Sequence, residues 1–135
     1  MLTEDKLLKM SEDDYMNAEQ LEFFEHLLKE NREELLGTIQ EARDGLTDNE
    51  ISSDPSDIAT KQEMQQVYLR TVERQSKLLR KVDQAMDRIR SGDYGYCEET
   101  GEPIGLPRLL ARPAATMSIQ AKEAQEYHEK TEGGE

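Results

Sequence analysis

At 135 residues, with a net charge of −13 and only 5% aromatic residues, the chain is too poor in large apolar side chains for one compact core. So acidic a surface is repelled by nucleic-acid phosphates. No run approaches the roughly 18 apolar residues of a membrane span and the first residues lack a signal-peptide pattern, so a cytoplasmic protein is expected.

The charge is unevenly spread. Residues 1–60 hold 17 acidic against 5 basic side chains, residues 61–92 hold 4 against 8, and residues 93–135 hold 9 against 4. If such a chain acts in gene expression, it is expected to do so through a basic protein partner, while its basic stretch can hold a small phosphorylated ligand. The single cysteine, Cys97, forbids an internal disulfide and fits a reducing compartment.

Residues 1–16 are polar with a small apolar patch (Leu7, Leu8, Met10) and read as one short helix. From Asn17 to about Arg43 the pattern is helical. Asn17 can cap it, Leu21, Phe24, Leu28, Leu35 and Ala42 share a face, and Asn31 and Thr38 interrupt that face with polar groups. Gly45 is the expected stop, and "GLTDNEISSDPSD" has the composition of a turn. A second helix is expected from about Pro55 to Arg90, with a seam of Met64, Tyr68, Thr71, Gln75, Leu78, Val82, Ala85 and Ile89. Two long helices with a short connection fold back antiparallel, and sustained 4–3 spacing makes them a coiled coil with arms of roughly 40 Å. "SGDYGY" ends the second helix, and Ile119 to about Thr131 reads as a short terminal helix.

The fold expected is therefore mainly α. A long antiparallel two-helix coiled coil (17–92, tip at 44–57) follows an N-terminal segment (1–16) that packs on a small globular base, and the base itself is formed by 93–135.

Two motifs carry chemistry. At the tip, "DPSDIAT" places Asp54 and Asp57 three residues apart at a helix start. Asp54 as N-cap, Pro55 at the first helical position and Asp57 in the first turn are ordinary capping chemistry. A cap acid at the end of a projecting arm is equally a carboxylate that can enter a deep cavity. In the base, Cys97, Thr100, Ser118 and Ala121 occupy the four places of a C-x2-C, spacer, C-x2-C zinc ribbon. One ligand of four remains. Hydroxyls are poor zinc ligands and alanine is none, so a metal-free segment held by Ile104, Leu106, Leu109, Leu110, Met117 and Ile119 is expected. Cys97 then reads as a small buried hydrophobe, and no nucleophile motif or phosphate loop marks the chain as an enzyme.

Taken together, "YMNAEQLEFFEHLL", "DPSDIA", "RQSKLLRKVDQAM" and "GDYGYCEETGEPIGLPRLLARPAATMSIQAKE" resemble the DksA/TraR family of bacterial RNA polymerase regulators, and within it the zinc-free members. The likeness covers roughly residues 15–130, departing chiefly at Thr100, Ser118 and Ala121, where zinc-binding relatives have cysteine. It implies a monomeric, non-enzymatic factor that inserts its coiled coil into the polymerase secondary channel without contacting DNA. Such factors destabilise open complexes at ribosomal RNA promoters and potentiate the alarmone ppGpp in the stringent response, here with no intrinsic cofactor and no zinc. By the same resemblance Asp54, Asp57 and Ala59 form the functional tip, Arg74 contacts the polymerase rim, and Leu78, Lys81, Arg112 and Lys122 hold ppGpp at the polymerase interface. As residues alone, Lys81, Arg112 and Lys122 are equally ordinary solvated charges. A generic coiled-coil adaptor, a Gre-like transcript cleavage factor and a redox sensor built on Cys97 are the other readings. A Gre coil begins at the N-terminus, whereas here an extension precedes the coil.

Overall fold

The computed structural model describes residues 2–48 and 53–132. Residues 49–52 of the expected 44–57 tip, and the last three residues, lie outside the described set. In chain order the helices are α1 (Glu4–Leu8), α2 (Ala18–Leu46), α3 (Pro55–Ser91), α4 (Leu106–Ala111) and α5 (Ile119–Glu132), with a 3-10 turn at Glu12–Asp14. The expected mainly helical fold with two long packed helices is what the structure has. Among the described residues no strand forms, and one antiparallel bridge joins Tyr96 to Pro103.

The chain divides into two compact units, one made of Met1–Lys29 with Val82–Glu135 and the other of Glu30–Lys81. In the first unit the start of α2 is fixed by side-chain caps. Asn17 Oδ1 accepts the Gln20 N–H at 2.9 Å. Gln20, completely buried, accepts the Met16 N–H at 3.0 Å and donates to Met10 Sδ at 3.5 Å. This polar group is tolerated inside because both ends of its amide are partnered. The short helix expected in residues 1–16 is thus α1 plus a separate turn, with Leu7 buried and Leu8 exposed.

Phe24 and Leu28 of α2, Ala85 of α3 and Leu109 of α4 are fully buried, with Val82, Tyr94, Cys97 and Met117 nearly so. Phe24 lies against Tyr94 at 5.6 Å between ring centroids. Polar anchors tie the loops of this unit down. Tyr94 Oη donates to the Pro113 carbonyl at 2.7 Å, and Arg88 Nη2 reaches the carbonyls of Asp93 and Tyr96 at 3.0 and 2.7 Å. Arg108 Nε donates to the Met117 carbonyl at 2.9 Å. Tyr15 Oη donates to the Gly95 carbonyl at 2.6 Å and accepts the Gly105 N–H at 2.9 Å. Gly95 must be glycine twice over. Its φ is +89°, and any Cβ would stand 2.6 Å from the Met16 side chain.

In the second unit the seam is thinner. Ile39 and Ala42 of α2 are buried, with Asn31, Leu35 and Leu46 partly so. On α3 the partly buried positions include Tyr68, Thr71, Val72, Gln75 and Leu79. Three sequence expectations are corrected here. Thr38 is exposed, bonding its own helix at the Glu34 carbonyl, and Ile39 takes the inward place. Met64 and Leu78 are 41% and 42% exposed, so Leu79 rather than Leu78 continues the seam. Gly45 does not stop α2, which runs on to Leu46. A helical glycine costs about 1 kcal/mol relative to alanine, and its reason here is space. The ring of Tyr68 occupies the volume where a Cβ on residue 45 would lie.

Removal of the Phe24 ring leaves a cavity in the first unit, whereas Leu69 is 50% exposed. Phe24→Ala is expected to lower the unfolding free energy by about 3–5 kcal/mol, and Leu69→Ala by no more than about 0.5 kcal/mol. Urea unfolding followed by circular dichroism checks the contrast; equal losses would contradict the assignment of this core.

Candidate functional site

Asp54 stands at the start of α3. Its Oδ1 accepts the Ser56 N–H at 3.0 Å and its carbonyl accepts the Ile58 N–H at 3.1 Å, which is N-cap geometry. Asp57 lies in the first turn of α3 with its carboxylate exposed. It lines a cleft of about 330 Å³ together with Gly45, Asp48, Thr60, Lys61, Met64, Gln65 and Tyr68. Asp57, Lys61, Met64 and Tyr68 are spaced 4, 3 and 4 along α3, so they share one face. Ala59 is exposed two residues further on, turned about 200° round the helix from Asp57. Asp54 is therefore tied to α3 by its own capping bonds, while Asp57 stays exposed in the first turn.

Further along α3, Arg74, Leu78 and Lys81 are exposed and follow one another at a spacing of 4 and 3. Arg70 and Lys77 are exposed beside them, which makes this face basic in an acidic chain. Leu78 was expected both in the seam and as a ligand contact; its exposure leaves it to the surface. Lys81 belongs to the second unit, and Arg112 and Lys122 to the first. Arg112 ends α4, its N–H bonded to the Arg108 carbonyl at 2.7 Å, and its side chain is exposed. Lys122 sits in the first turn of α5, with Nζ 3.4 Å from Gln125 Oε1.

The ribbon-like segment keeps the turns of a metal knuckle but fills them differently. Cys97 is 3% exposed. Its N–H bonds the Glu102 carbonyl at 2.7 Å and its carbonyl accepts the Gly101 N–H at 2.8 Å, with Gly101 at φ +74°. Burial pushes the Cys97 thiol up. The Ser118 N–H, the Thr100 hydroxyl and the N–H groups of Thr100 and Glu99 together outweigh this and lower it to about 6. The other three ligand positions have local employment. Thr100 Oγ1 accepts the Glu102 N–H at 3.3 Å, and Ser118 Oγ accepts the Ala121 N–H at 3.2 Å, capping α5. Among the described residues no group of three or more His, Cys, Asp or Glu side chains could hold a metal. One thiolate, two turn-bonded hydroxyls and a methyl do not fit structural zinc, which takes four strong ligands.

Several residues that order these sites escaped sequence reasoning. Tyr15 was quoted only as part of a similar stretch, yet its hydroxyl joins two glycine turns 10 residues apart. Arg88 and Arg108, which no motif singles out, collect backbone carbonyls. No short motif marks such contacts; only the density of Gly and Pro around 92–113 hinted that free carbonyls would need donors.

The hydrogen-bonded thiolate gives a pH dependence with a definite sign. A folded pKa of about 6 lies below that of an unfolded cysteine thiol, so the stabilisation is fully present above the unfolded value, near pH 9, and is lost as pH falls through 6. Thiolate ultraviolet absorbance is expected to titrate with a midpoint of about 6 in the native protein and to be missing in Cys97→Ser. Native stability relative to Cys97→Ser is expected to rise with pH between these limits. A midpoint in the ordinary thiol range would show that the donors do not reach Sγ.

Comparison with known proteins places this geometry in a family. The N-terminal domain of the DnaK suppressor protein DksA matches residues 20–89, and the prokaryotic dksA/traR C4-type zinc finger matches residues 92–127. The RNA polymerase-binding transcription factor DksA of Caulobacter vibrioides is 47% identical over 134 residues, covering 98% of this chain and 92% of the relative. Its namesake from Escherichia coli K12 is 33% identical over 123 residues, covering 90% and 82%. Among solved structures, transcription factor DksA2 from Pseudomonas aeruginosa superposes with a TM-score of 0.84 at 48% identity, covering 95% of this chain and 99% of the other. With both of its halves matched and near full-length relatives at this identity, the chain belongs to the DksA/TraR family.

Proposed function

We propose that the protein is a cytoplasmic, non-enzymatic transcription regulator that binds RNA polymerase in its secondary channel, destabilises open complexes at ribosomal RNA promoters and potentiates ppGpp. The observation that carries this reading is 47% identity along 98% of the chain to a factor named for binding RNA polymerase. The surface agrees with a protein partner in place of DNA. A net charge of −13 opposes approach to a duplex, while the exposed Arg70, Arg74, Lys77 and Lys81 offer a local basic face to acidic protein or phosphate. No described helix is long and apolar enough to cross a membrane.

In this reading Asp57, with Asp54 and Ala59, acts from the tip near the polymerase active centre, and Arg74 docks on the rim. Leu78 and Lys81 contribute to the alarmone site with Arg112 and Lys122. Charge-assisted bonds from Lys and Arg to phosphate contribute about 1.5–3 kcal/mol each when partly buried. Such contacts form only in the complex, which agrees with the exposure of all three basic side chains in the free chain. In this reading the protein works as a monomer and without zinc; Thr100, Ser118 and Ala121, which offer a metal neither thiol nor imidazole, support the second point.

Three measurements test the reading. Asp57→Asn is expected to bind polymerase about as tightly as wild type and to lose inhibition of a ribosomal RNA promoter in purified transcription; the capping change costs the helix at most about 1 kcal/mol. Normal inhibition by this variant would favour a plain coiled-coil adaptor. Lys81→Ala is expected to keep basal inhibition and lose most of the enhancement by ppGpp, so equal enhancement in both proteins would remove Lys81 from the site. Finally, the purified protein is expected to contain no stoichiometric zinc and to unfold at the same temperature with and without a chelator.

A further inference from the structure

The cleft beneath Asp57 is bounded by a contact that neither capping chemistry nor coil periodicity requires. Tyr68 is the only aromatic residue between Glu30 and Lys81, and its ring sits where the Cβ of any residue but glycine would project from position 45. Three ring atoms, Cδ2, Cε2 and Cζ, converge on that point. These are atoms of a rigid ring rather than the far end of a flexible chain, so the fit is one of shape. Gly45 lies one residue before the end of α2, and Tyr68 lies 11 residues, about three turns, after Asp57 on the same face of α3. Gly45, Tyr68 and Asp57 line the same cleft.

Little else near this end can set how α2 and α3 lie against each other. From Pro55 to Lys81 no residue of α3 is fully buried, and on α2 the nearest buried side chain is the small Ala42. The seam near this end is thin, with Leu46, Thr71 and Val72 only partly covered, and a ring seated in a glycine notch adds a contact with one position. We infer that Tyr68, seated on Gly45, is a positioning residue that fixes the register of α2 against α3 and thereby where Asp57 is presented. The inference rests on the tip reading proposed above and adds to it a residue pair that delivers the carboxylate without touching the partner.

The test uses the full-length protein with purified RNA polymerase and a ribosomal RNA promoter. Two quantities are read: the factor concentration for half-maximal binding, and the extent of inhibition at saturation. A general loss of structure raises the first, because less folded factor is available. A misplaced carboxylate lowers the second alone. Gly45→Ala, which displaces the ring, is expected to bind within about twofold of wild type and to lose about tenfold in saturating inhibition, as small misplacements do elsewhere. Adding Tyr68→Leu to Gly45→Ala, which makes room for the new methyl, is expected to restore most of that loss. Should Gly45→Ala fold poorly by circular dichroism, Tyr68→Ala tests the same point with no clash, and Tyr68→Phe, which keeps the ring, is expected to retain inhibition.

Full saturating inhibition by Gly45→Ala or Tyr68→Ala overturns the inference, as does a loss explained wholly by weaker binding or a paired variant that restores nothing. Asp57→Asn in the same assay separates the two levels. If it loses inhibition while the notch variants keep it, only the positioning role falls. If Asp57→Asn itself inhibits fully, the tip reading fails and the notch has no carboxylate to deliver.

Discussion

Tyr94 is the side chain on which the first unit depends. It follows α3, is 1% exposed, lies against Phe24 of α2 and donates its hydroxyl to Pro113 beyond α4. One residue thus joins a long helix, the exit of the second long helix and the loop-rich segment. Burial of a tyrosine is favourable only when its hydroxyl keeps a partner, and the Pro113 carbonyl supplies one that no helix could use. The same logic recurs at Tyr15, whose hydroxyl donates to one turn and accepts from another. Arg88 and Arg108 add three more bonds to backbone carbonyls. No described buried side-chain nitrogen or oxygen lacks a partner. A segment with three prolines and glycines at positive φ cannot satisfy its own backbone by helix formation, so it borrows donors from side chains.

That arrangement explains how a C4-type frame survives with one cysteine. A structural metal ties two turns together through four ligand bonds. Here Cys97 is buried, and groups of Ser118, Thr100 and Glu99 lower its thiol to about 6. Thr100 and Ser118 then bond within their own turns. Each such bond is weaker than a metal bond, but aromatic burial and the arginine–carbonyl contacts share the task.

Much of this was legible in the residues. The two long helices, the Asn17 cap and the start at Pro55 follow from spacing and capping chemistry, and the structure has each of them. The buried state of Cys97 was legible too, whereas the backbone and hydroxyl groups that lower its thiol come from residues that no local window brings to it. The errors in the coil fall at single positions. The 4–3 count agrees with burial at Tyr68, Thr71, Gln75, Val82, Ala85 and Ile89 and misses at Met64 and Leu78. Leu78 and Leu79 adjoin, and counting alone selects the first where the structure partly covers the second. Gly45 was misread because glycine near a helix end usually means a stop; that it made room for an aromatic ring on another helix is a tertiary fact that no local window contains.

The candidate site and the stabilising contacts fall on different residues. Asp54, Asp57, Ala59, Arg74, Leu78, Lys81, Arg112 and Lys122 are all exposed, so the free chain spends little folding energy on them. Asp54 is the partial exception, because its carboxylate also caps α3. The backbone under these residues comes from elements held by other side chains: α3 in the second unit by partly covered positions such as Tyr68, Thr71, Val72, Gln75 and Leu79, and the end of α4 by Leu109. Surface groups on such elements can change with little effect on the fold, which leaves them open to selection for what they touch. Leu78 shows the limit of reading a role from exposure: it is 42% open on a basic face, but Ile58 and Leu69 of the same helix are 43% and 50% open, so what singles Leu78 out is its cationic neighbours and not its exposure.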